Sequence, residues 1–422
     1  MSEWAESPLA QLATFQKGRK VETTPFDGVG YAPYLGASGL EGGDDGYAAT
    51  RLAVIAKSTD TLMLWDGERS GLVGYGRKGV VASTVSKLSP TDKIEPKYLY
   101  YALSDRFDWI QHRRTGTGVP HVPKDLGRLL KLRYPKQRAV QRRIASILTG
   151  IDTAIEKTEA LIAKYLQIKA GLMHDLFIRG VLPNGQLRPP REQAPELYQE
   201  TAIGWIPREW NVSTLEDLLA PLPNNIRSGP FGSALLKHEL VEDGIPFLGI
   251  DNIHTEHFEP EFRRFVSERK FLELAKYKVR PRDVVITIMG TVGRCCVIPD
   301  DLDLALSSKH LWTMTFDSEK VLPELVCWKL NFSSWTLAWF RRAMQGGIMD
   351  AIQSSTLKTL QLPVPGIEEQ ALIHERYLKI STRIRQEREL LKKLRKQKSG
   401  LMRDLLTGKV SVKVEEPEAV DG

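Results

Sequence analysis

The sequence contains KAGLMHDLFIRGV at residues 169–181 and KSGLMRDLLTGKV at residues 398–410. The two stretches lie 229 positions apart and share glycine, leucine, methionine and aspartate at the same places. Two nearly identical stretches so far apart indicate that one plan occurs twice in the chain. A period of this length is far beyond that of a solenoid repeat, so each copy is a unit of domain size.

An apolar ladder with alternating spacings of four and three residues runs through each stretch and far upstream of it. The mean spacing of about 3.5 residues is that of a coiled-coil seam. Both ladders carry polar residues at the same two rungs, Thr158 and Lys169 in the first and Glu387 and Lys398 in the second. A single stripe is also typical of a helix docked on its own domain. Two stripes in one register, both free of proline, favour long helices that pack on each other through Ile144, Leu148, Ile151, Ile155, Ile162, Ile373, Tyr377, Ile380, Ile384, Leu391 and Leu394.

Matching landmarks continue upstream of both ladders, although the offset between the copies drifts. They are residues 4–12 and 210–218, 33–36 and 246–249, 60–64 and 283–287, 71–74 and 290–293, and Pro135 and Pro365. The landmarks keep their order, while the segments between them differ in length and content. Each copy therefore consists of a variable globular part followed by a more uniform long helix.

The globular parts mix short β-type runs with helical stretches and frequent glycine and proline. We predict an α+β fold with an internal pseudo-twofold repeat, in which two long helices separate two globular domains. The predicted segments are a first globular domain over 1–135, a central long helix over 136–181, a linker over 182–205, a second globular domain over 206–365, a C-terminal long helix over 366–410 and a disordered tail over 411–422.

Net charge, cysteine count and the N-terminal sequence indicate to which broad class of protein the chain belongs. The net charge of +7 favours a polyanionic partner, although many basic proteins bind no nucleic acid. Three cysteines without a CxxC pair argue against a disulfide framework or a zinc site. The N-terminus has acidic residues where a signal peptide needs basic ones, and no run approaches the roughly 18 apolar residues of a membrane span. We expect a soluble, cytoplasmic protein that does not contact a membrane.

The sequence contains only weak matches to motifs of catalysis and cofactor binding. Residues 74–79 spell GxGxxG, but a strand pattern follows them where a phosphate loop must open a helix, which favours a glycine-rich turn. Residues 268–270 have the ExK spelling of a nuclease site, and a charged turn explains them equally well. His254 and His257 lie close together without an evident third ligand. We predict no catalytic residue, metal or cofactor in this chain.

Polar and basic residues recur in turns beside glycines, at matching places of both copies. Arg and Lys neutralise phosphates, and Arg and Asn also hydrogen-bond to base edges. For any one of these residues a solvated basic surface is the simpler explanation, and their repeated placement favours DNA. The candidates are Lys17, Arg19, Lys20, Arg69, Tyr75, Arg77, Lys78, Arg113, Arg114, Asn225, Arg227, Ser228, Ser233, Lys237, Asn252, Arg263, Arg264, Thr291, Arg294, Lys309 and His310.

The whole chain resembles the specificity subunit of Type I restriction–modification systems. Four segments carry the resemblance: RSGPFGSALLKHELVEDGIPFLGIDNI at 227–253, IPREWNVSTLEDL at 206–218, the GLMHDLF and GLMRDLL stretches that close the two helices, and LPVPGIEEQ at 362–370. The first copy has the looser KLRYPKQRAVQ at 131–141. It also departs from the family's GPFGS-type opening, with FQKGRK in its place, which makes the transfer of the fold less direct for the first domain.

The resemblance implies that each globular part is a target recognition domain that reads one half of a bipartite, asymmetric site in double-stranded DNA. It implies that the two long helices pack antiparallel and set the length of the unread spacer. The partners it implies are two modification subunits, which methylate adenine with S-adenosylmethionine, and up to two restriction subunits that use ATP and Mg²⁺. The chain itself would hold no cofactor and catalyse nothing.

Two other classes of function remain open on the sequence alone. A nuclease or methyltransferase with an attached recognition fold would need a catalytic motif, and no methyl-donor loop or acidic cluster is evident. A protein that only bridges two partners through its coiled coil would explain the helices. It would not explain two divergent domains with arginine- and glycine-rich loops.

Overall fold

The structure, a computed structural model, describes residues 3–116, 118–290, 292–344 and 352–413. It divides into two compact units. We call residues up to Leu161, together with those from Glu387 onward, the first unit, and residues Ile162–Gln386 the second unit. Each unit therefore holds one globular domain and a part of each long helix.

The first unit mixes short strands with short helices. Its strands are β1 (Trp4–Pro8), β2 (Ala13–Lys17), β3 (Thr23–Thr24), β4 (Tyr31–Leu35), β5 (Tyr47–Ala49), β6 (Ile55–Ala56), β7 (Thr61–Leu64), β8 (Val73–Tyr75), β9 (Gly79–Val81), β10 (Val85–Pro90) and β11 (Lys131–Pro135). Its helices are α1 (Ala37–Leu40), α2 (Pro96–Ser104), α3 (Phe107–Gln111), α4 (Leu126–Leu129) and the beginning of α5 (Arg138–Ile178).

Three groups of strands build this domain. An antiparallel sheet has the order β2-β10-β7-β8, and a second sheet has the order β3-β5-β4-β9-β6, in which β4 and β9 run parallel. The first and last strands, β1 and β11, pair antiparallel and bring Trp4 opposite Pro135. The domain therefore begins and ends at one place, from which α5 departs.

The second unit has more strands. They are β12 (Tyr198–Thr201), β13 (Gly204–Pro207), β14 (Asn211–Thr214), β15 (Ile226–Arg227), β16 (Leu240–Val241), β17 (Ile245–Leu248), β18 (Ile253–His254), β19 (His257–Phe258), β20 (Phe265–Val266), β21 (Val284–Thr287), β22 (Cys295–Val297), β23 (Leu306–Ser307), β24 (Leu311–Met314) and β25 (Gln361–Val364). The helices are α6 (Leu215–Leu218), α7 (Glu268–Glu273), α8 (Pro323–Phe332), α9 (Ser334–Met344), α10 (Ser354–Lys358) and the beginning of α11 (Ile367–Thr407).

Strand order repeats between the two units. The sheet β15-β24-β21-β22 has the order of β2-β10-β7-β8, the parallel pair β17 and β23 corresponds to β4 and β9, and β14 pairs with β25 as β1 pairs with β11. The sequence landmarks at 60–64 and 283–287 contain β7 and β21, which occupy the same place in their sheets. The predicted internal repeat is therefore present in the topology as well as in the sequence.

Both long helices contain 41 residues, or roughly 60 Å if straight. In the first unit, the Lys398 ammonium lies 2.6 Å from the Asp152 carboxylate and Arg395 pairs with Glu159 at 2.7 Å. Residue numbers rise along α5 while those of their partners on α11 fall, so the helices pack antiparallel there. The predicted antiparallel pairing is confirmed for this unit.

The second unit contains the other parts of the same two helices, again antiparallel. Arg383 of α11 lies over the ring of Tyr165 of α5, and Lys169 donates a hydrogen bond of 3.1 Å to the hydroxyl of Tyr377. The residues predicted for the seam are all buried or half-buried, with Ile144, Leu148, Ile373, Tyr377 and Ile384 among the buried ones.

A buried glutamine anchors the beginning of α5 to the first domain. Gln141 donates hydrogen bonds to the carbonyls of Pro135, at the end of β11, and Lys93, at 2.8 and 3.1 Å. Its side-chain oxygen accepts the N–H of Glu95, just before α2, at 2.7 Å. One amide thus joins the last strand, the loop before α2 and the long helix.

The second unit repeats this arrangement at Gln370, 229 positions later. Gln370 donates to the carbonyls of Pro365 and Lys320, both at 2.9 Å, and accepts the N–H of Leu322 at 2.8 Å. Both glutamine residues are at most 1% exposed. The junction between domain and helix is therefore built in the same way in both copies.

Residues 182–205, predicted to form a linker, fold onto the second unit. Strand β12 pairs with β13, and Arg188 is 2% exposed. Its guanidinium contacts the carboxylates of Glu209 and Glu369 at 2.8 and 3.2 Å. The proline-rich composition indicated a connection, but this ion-pair cluster holds the segment in place. Of the predicted disordered tail, 411–422, residues 414–422 lie outside the described residues.

Candidate nucleic-acid interface

A cluster of Lys17, Asp66 and His121 lies at the end of β2 in the first unit. Asp66 accepts hydrogen bonds from the Lys17 ammonium at 2.8 Å and contacts Nδ1 of His121 at 2.7 Å. Burial acts to raise the pKa of the Asp66 carboxyl, but the hydrogen bonds from Lys17 and His121 outweigh burial and lower this pKa. The carboxylate is therefore ionised, and it positions the side chains of Lys17 and His121.

The loop after α3 joins the turn at residues 66–70. Gln111 donates to the Ser70 carbonyl at 2.5 Å, and Arg114 donates to the Glu68 carbonyl at 2.7 Å. Arg114 is thus partly used in holding the two loops together. Arg113 is exposed and stacks on Trp109, with 4.1 Å from its guanidinium carbon to the ring centroid.

The other candidates of the first unit differ in accessibility. Arg19, Lys20, Arg77 and Lys78 are exposed, and the last two line a cavity of about 370 Å³ that also contains Asp44 and Asp45. Arg69 is exposed but pairs with Glu41 at 2.7 Å. Tyr75 is half-buried against Tyr100. Residues 74–79, the GxGxxG segment, cover part of β8, a turn and the start of β9, as the prediction of a glycine-rich turn required.

Four candidates of the second unit line one cavity of about 170 Å³. They are Lys237, Arg264, Lys309 and His310, and they come from three segments of the chain, of which the one with Lys309 and His310 follows β23. Burial lowers the pKa of His310, and the charges of Lys309 and Arg264 lower it further. Arg264 also pairs with Asp251. The fold therefore concentrates positive charge at a concave site.

Arg227 does not belong to this surface. Its side chain is buried, 4% of the residue being exposed, and its guanidinium pairs with the equally buried Asp283. It also donates to the Lys278 carbonyl at 2.6 Å and to the Thr315 hydroxyl at 3.0 Å. The structure therefore places Arg227 inside the domain, with every guanidinium nitrogen hydrogen-bonded there, and not on an accessible surface as the prediction of a DNA contact required.

Asn252 and Asn225 also have internal roles. The buried Asn252 accepts the N–H of Gly249 and donates to the carbonyls of Glu259 and Glu261. Asn225 donates to the Ala220 carbonyl at 2.9 Å. Asn252 is buried and Asn225 is half-buried, and both amides shape their loops.

The remaining candidates are placed as follows. Ser228 is buried and its hydroxyl donates to the Lys309 carbonyl at 3.2 Å. Ser233, Arg263 and Arg294 are exposed. Thr291 lies outside the described residues.

Two buried aspartates at equivalent positions were missed by the sequence analysis. Asp60 and Asp283 open the landmark segments 60–64 and 283–287. Asp60 accepts the N–H of Lys57 and the Ser89 hydroxyl, and Asp283 accepts the N–H of Arg280 and the Thr315 hydroxyl. The shared aspartate was visible in both quoted segments, and it marks a structural position.

No helix among the described residues is long and apolar enough to cross a membrane. Within the same residues, no group of three or more His, Cys, Asp or Glu side chains has the arrangement of a metal site.

Comparison with known proteins shows which proteins the chain is similar to. A family model described as the Type I restriction modification DNA specificity domain matches residues 1–164. The chain is 27% identical to the Type I restriction enzyme MjaVIII specificity subunit of Methanocaldococcus jannaschii, over 97% of this chain and 94% of that protein. Residues 1–164 thus match the specificity domain of Type I systems, and nearly the whole chain is similar to a Type I specificity subunit. It is also 20% identical to the EcoBI specificity subunit of Escherichia coli, over 74% of this chain and 64% of that one.

Two solved structures from Type I systems share the fold. The S subunit of a Type I system from M. genitalium matches with a TM-score of 0.60 at 16% identity, over 95% of this chain and 96% of that one. A chain from a study of complex assembly and conformational transition in a Type I system matches with a TM-score of 0.54 at 14% identity, over 97% and 98%. The predicted resemblance to Type I specificity subunits is confirmed, and the names of the matching family and relatives identify a specificity subunit and not a catalytic one.

Proposed function

We propose that this specificity subunit directs a Type I system to one bipartite DNA site, with each globular domain contacting one half-site. The observation that carries the proposal is the repeated strand order of the two domains, joined to loops of different sequence. A shared framework with divergent basic loops suits two readers of different bases. The antiparallel helix pairs in both units suit a stiff spacer between the half-sites.

The partners follow from the same proposal. Two modification subunits would bind the repeated helix surfaces and methylate adenine with S-adenosylmethionine, and up to two restriction subunits would add ATP- and Mg²⁺-dependent translocation and cleavage. The complex would act in the cytoplasm. The matched junctions at Gln141 and Gln370 support this within the chain, because helices that leave their domains in the same way can present similar surfaces to two identical partners.

The test is a single-molecule sequencing map of adenine methylation in host DNA, with the gene present, deleted and restored. We expect one split motif to lose methylation on deletion and to regain it on restoration, while all other methylated motifs stay unchanged. A methylation pattern that does not respond to deletion, in a host that expresses the partner subunits, would contradict the proposal.

Shortening both helices by one heptad tests the spacer. Removing residues 158–164 and 387–393 together keeps the 4-3 ladder in phase and shortens each helix by about 10 Å. We expect the half-site bases to be retained and the spacer to shorten by roughly three base pairs, at about 3.4 Å per base pair. Sequencing of methylated motifs measures both quantities. Altered half-sites with an unchanged spacer would rule out the helices as the spacer element.

A further inference from the structure

The 170 Å³ cavity of the second unit has the composition of an anion site. Lys237, Arg264, Lys309 and His310 line it, together with Phe247 and Ser308, and none of its described lining residues is acidic. Lys237 and Lys309 are exposed, and neither forms an ion pair with another described residue. Both ammonium groups are therefore available to a ligand.

Two buried donors lack a partner at the same cavity. Ser308 is 4% exposed, and its Oγ has no hydrogen-bond partner. The Nε of Arg264 is also buried without a partner. Buried polar groups in native proteins are nearly always hydrogen-bonded, and an unsatisfied one costs about 1–3 kcal/mol. A hydroxyl and a guanidinium N–H can both donate to one ligand that offers only acceptor oxygens.

A phosphate group meets these requirements, since it offers several acceptor oxygens and negative charge. The rim of the cavity favours a phosphate that belongs to a nucleic acid over a free anion. Phe231, next to the lining residues Pro230 and Gly232, is 60% exposed, and Phe247 forms part of the wall. Apolar groups of this kind suit the deoxyribose carbons on either side of a backbone phosphate.

We propose that this cavity binds one backbone phosphate of the DNA beside the half-site of the second domain. Lys309 and Lys237 supply charge, and Ser308 and Arg264 supply the donors that orient the phosphate. Such a contact fixes the position of the domain on the duplex and contributes affinity that does not depend on sequence. The inference rests on the proposed function, because it presupposes that the second domain binds DNA.

The test measures binding of the full-length protein to a duplex of random sequence by fluorescence anisotropy, between 50 and 200 mM salt. Each phosphate contact contributes about 0.9 to the slope of log K against log salt. Lys309→Gln is expected to lower the magnitude of this slope by about one and the affinity roughly eightfold at 0.1 M salt. Lys379→Gln, on the exposed face of α11, changes the charge equally and is expected to leave both unchanged.

Ser308→Ala separates binding from folding. It removes an unpartnered buried hydroxyl, so the variant is expected to fold at least as stably as the wild type and still to bind DNA more weakly. The loss is expected to be the same on random duplexes and on the methylated target motif. A loss confined to the target motif would make this a base-reading site and overturn the proposal.

Three further outcomes distinguish failure of the phosphate site from failure of the proposed function. If the wild type binds DNA and both variants bind it with the same slope and affinity, the phosphate site is refuted and the proposed function stands. If the wild type binds no DNA, the proposed function fails and this inference fails with it. If inorganic phosphate shifts the ring resonances of His310 while Lys309→Gln leaves DNA binding unchanged, the cavity takes free anions and the assignment to DNA is wrong.

Discussion

Replacing Arg227 with methionine is expected to destabilise the second domain by about 3–5 kcal/mol. The guanidinium is the counter-charge of Asp283, whose residue is 0% exposed. Without it, the carboxylate remains buried with only the Arg280 N–H and the Thr315 hydroxyl as donors. Burial already raises the pKa of Asp283, and loss of the adjacent positive charge raises it further. Methionine fills most of the volume, so the expected cost is mainly electrostatic.

Hydrogen–deuterium exchange read by mass spectrometry measures this effect domain by domain. Peptides that cover β15, β21 and β24 are expected to lose protection in Arg227→Met, while peptides of the first domain are unchanged. The double variant Arg227→Met, Asp283→Asn removes both charges and is expected to recover part of the protection. Arg263→Met, at an exposed position, is the matched control and should change neither domain.

Hydrogen exchange combined with a measurement of binding at the second half-site decides between a structural and a DNA-reading role of Arg227. A structural role predicts loss of protection together with loss of binding at the second half-site. Normal protection in Arg227→Met combined with loss of one half-site would show that Arg227 contacts DNA after all, in a conformation unlike the one described here.

The long helices were predictable because periodicity reports directly on helical faces. The sequence predicts them over 136–181 and 366–410, and the structure has Arg138–Ile178 and Ile367–Thr407. No comparable pattern in the sequence reports whether a basic side chain near a loop is exposed. Arg227 ends β15 directly before Ser228 and Gly229, and its burial depends on an ion pair with Asp283, 56 positions away. Without the fold, nothing in the local sequence separates it from the accessible Lys309.

The first domain keeps the structural repeat although its sequence has diverged from that of the second domain. It lacks the GPFGS-type opening, yet the family model matches residues 1–164. Gly18 and Gly229 show in physical terms what the openings of the two domains share. A Cβ at Gly18 would lie 2.0 Å from the Ala82 carbonyl oxygen, and one at Gly229 would lie 2.0 Å from that of Ser307. Because glycine has no Cβ, each loop can lie against the backbone of the second strand of the parallel pair, directly after β9 in the first domain and within β23 in the second. FQKGRK and RSGPFGS therefore allow the same close approach, although they share only this glycine.

Substitution of the buried glutamines at the start of the long helices is expected to have the second large effect on stability. Gln370→Leu keeps nearly the same volume but leaves the carbonyls of Pro365 and Lys320 and the N–H of Leu322 without their partner. Each unsatisfied buried group costs about 1–3 kcal/mol, so we expect the second unit to lose about 3 kcal/mol or more. Hydrogen exchange should show lost protection where β25, the start of α8 and the start of α11 meet.

Gln141→Leu is the reciprocal variant, and it is expected to weaken the equivalent junction at β11, α2 and α5 in the first unit while leaving the second unit unchanged. Gln397→Leu, on the exposed part of α11, makes the same chemical change where no buried backbone group depends on it. If Gln370→Leu and Gln397→Leu gave equal protection, the junction would not depend on the amide. Reciprocal losses confined to the two junctions would instead mean that the duplicated chain uses one polar residue per copy to fix where each helix leaves its domain. The two glutamines lie 229 positions apart, the same offset as the ladders, because the junction and the helix were duplicated together.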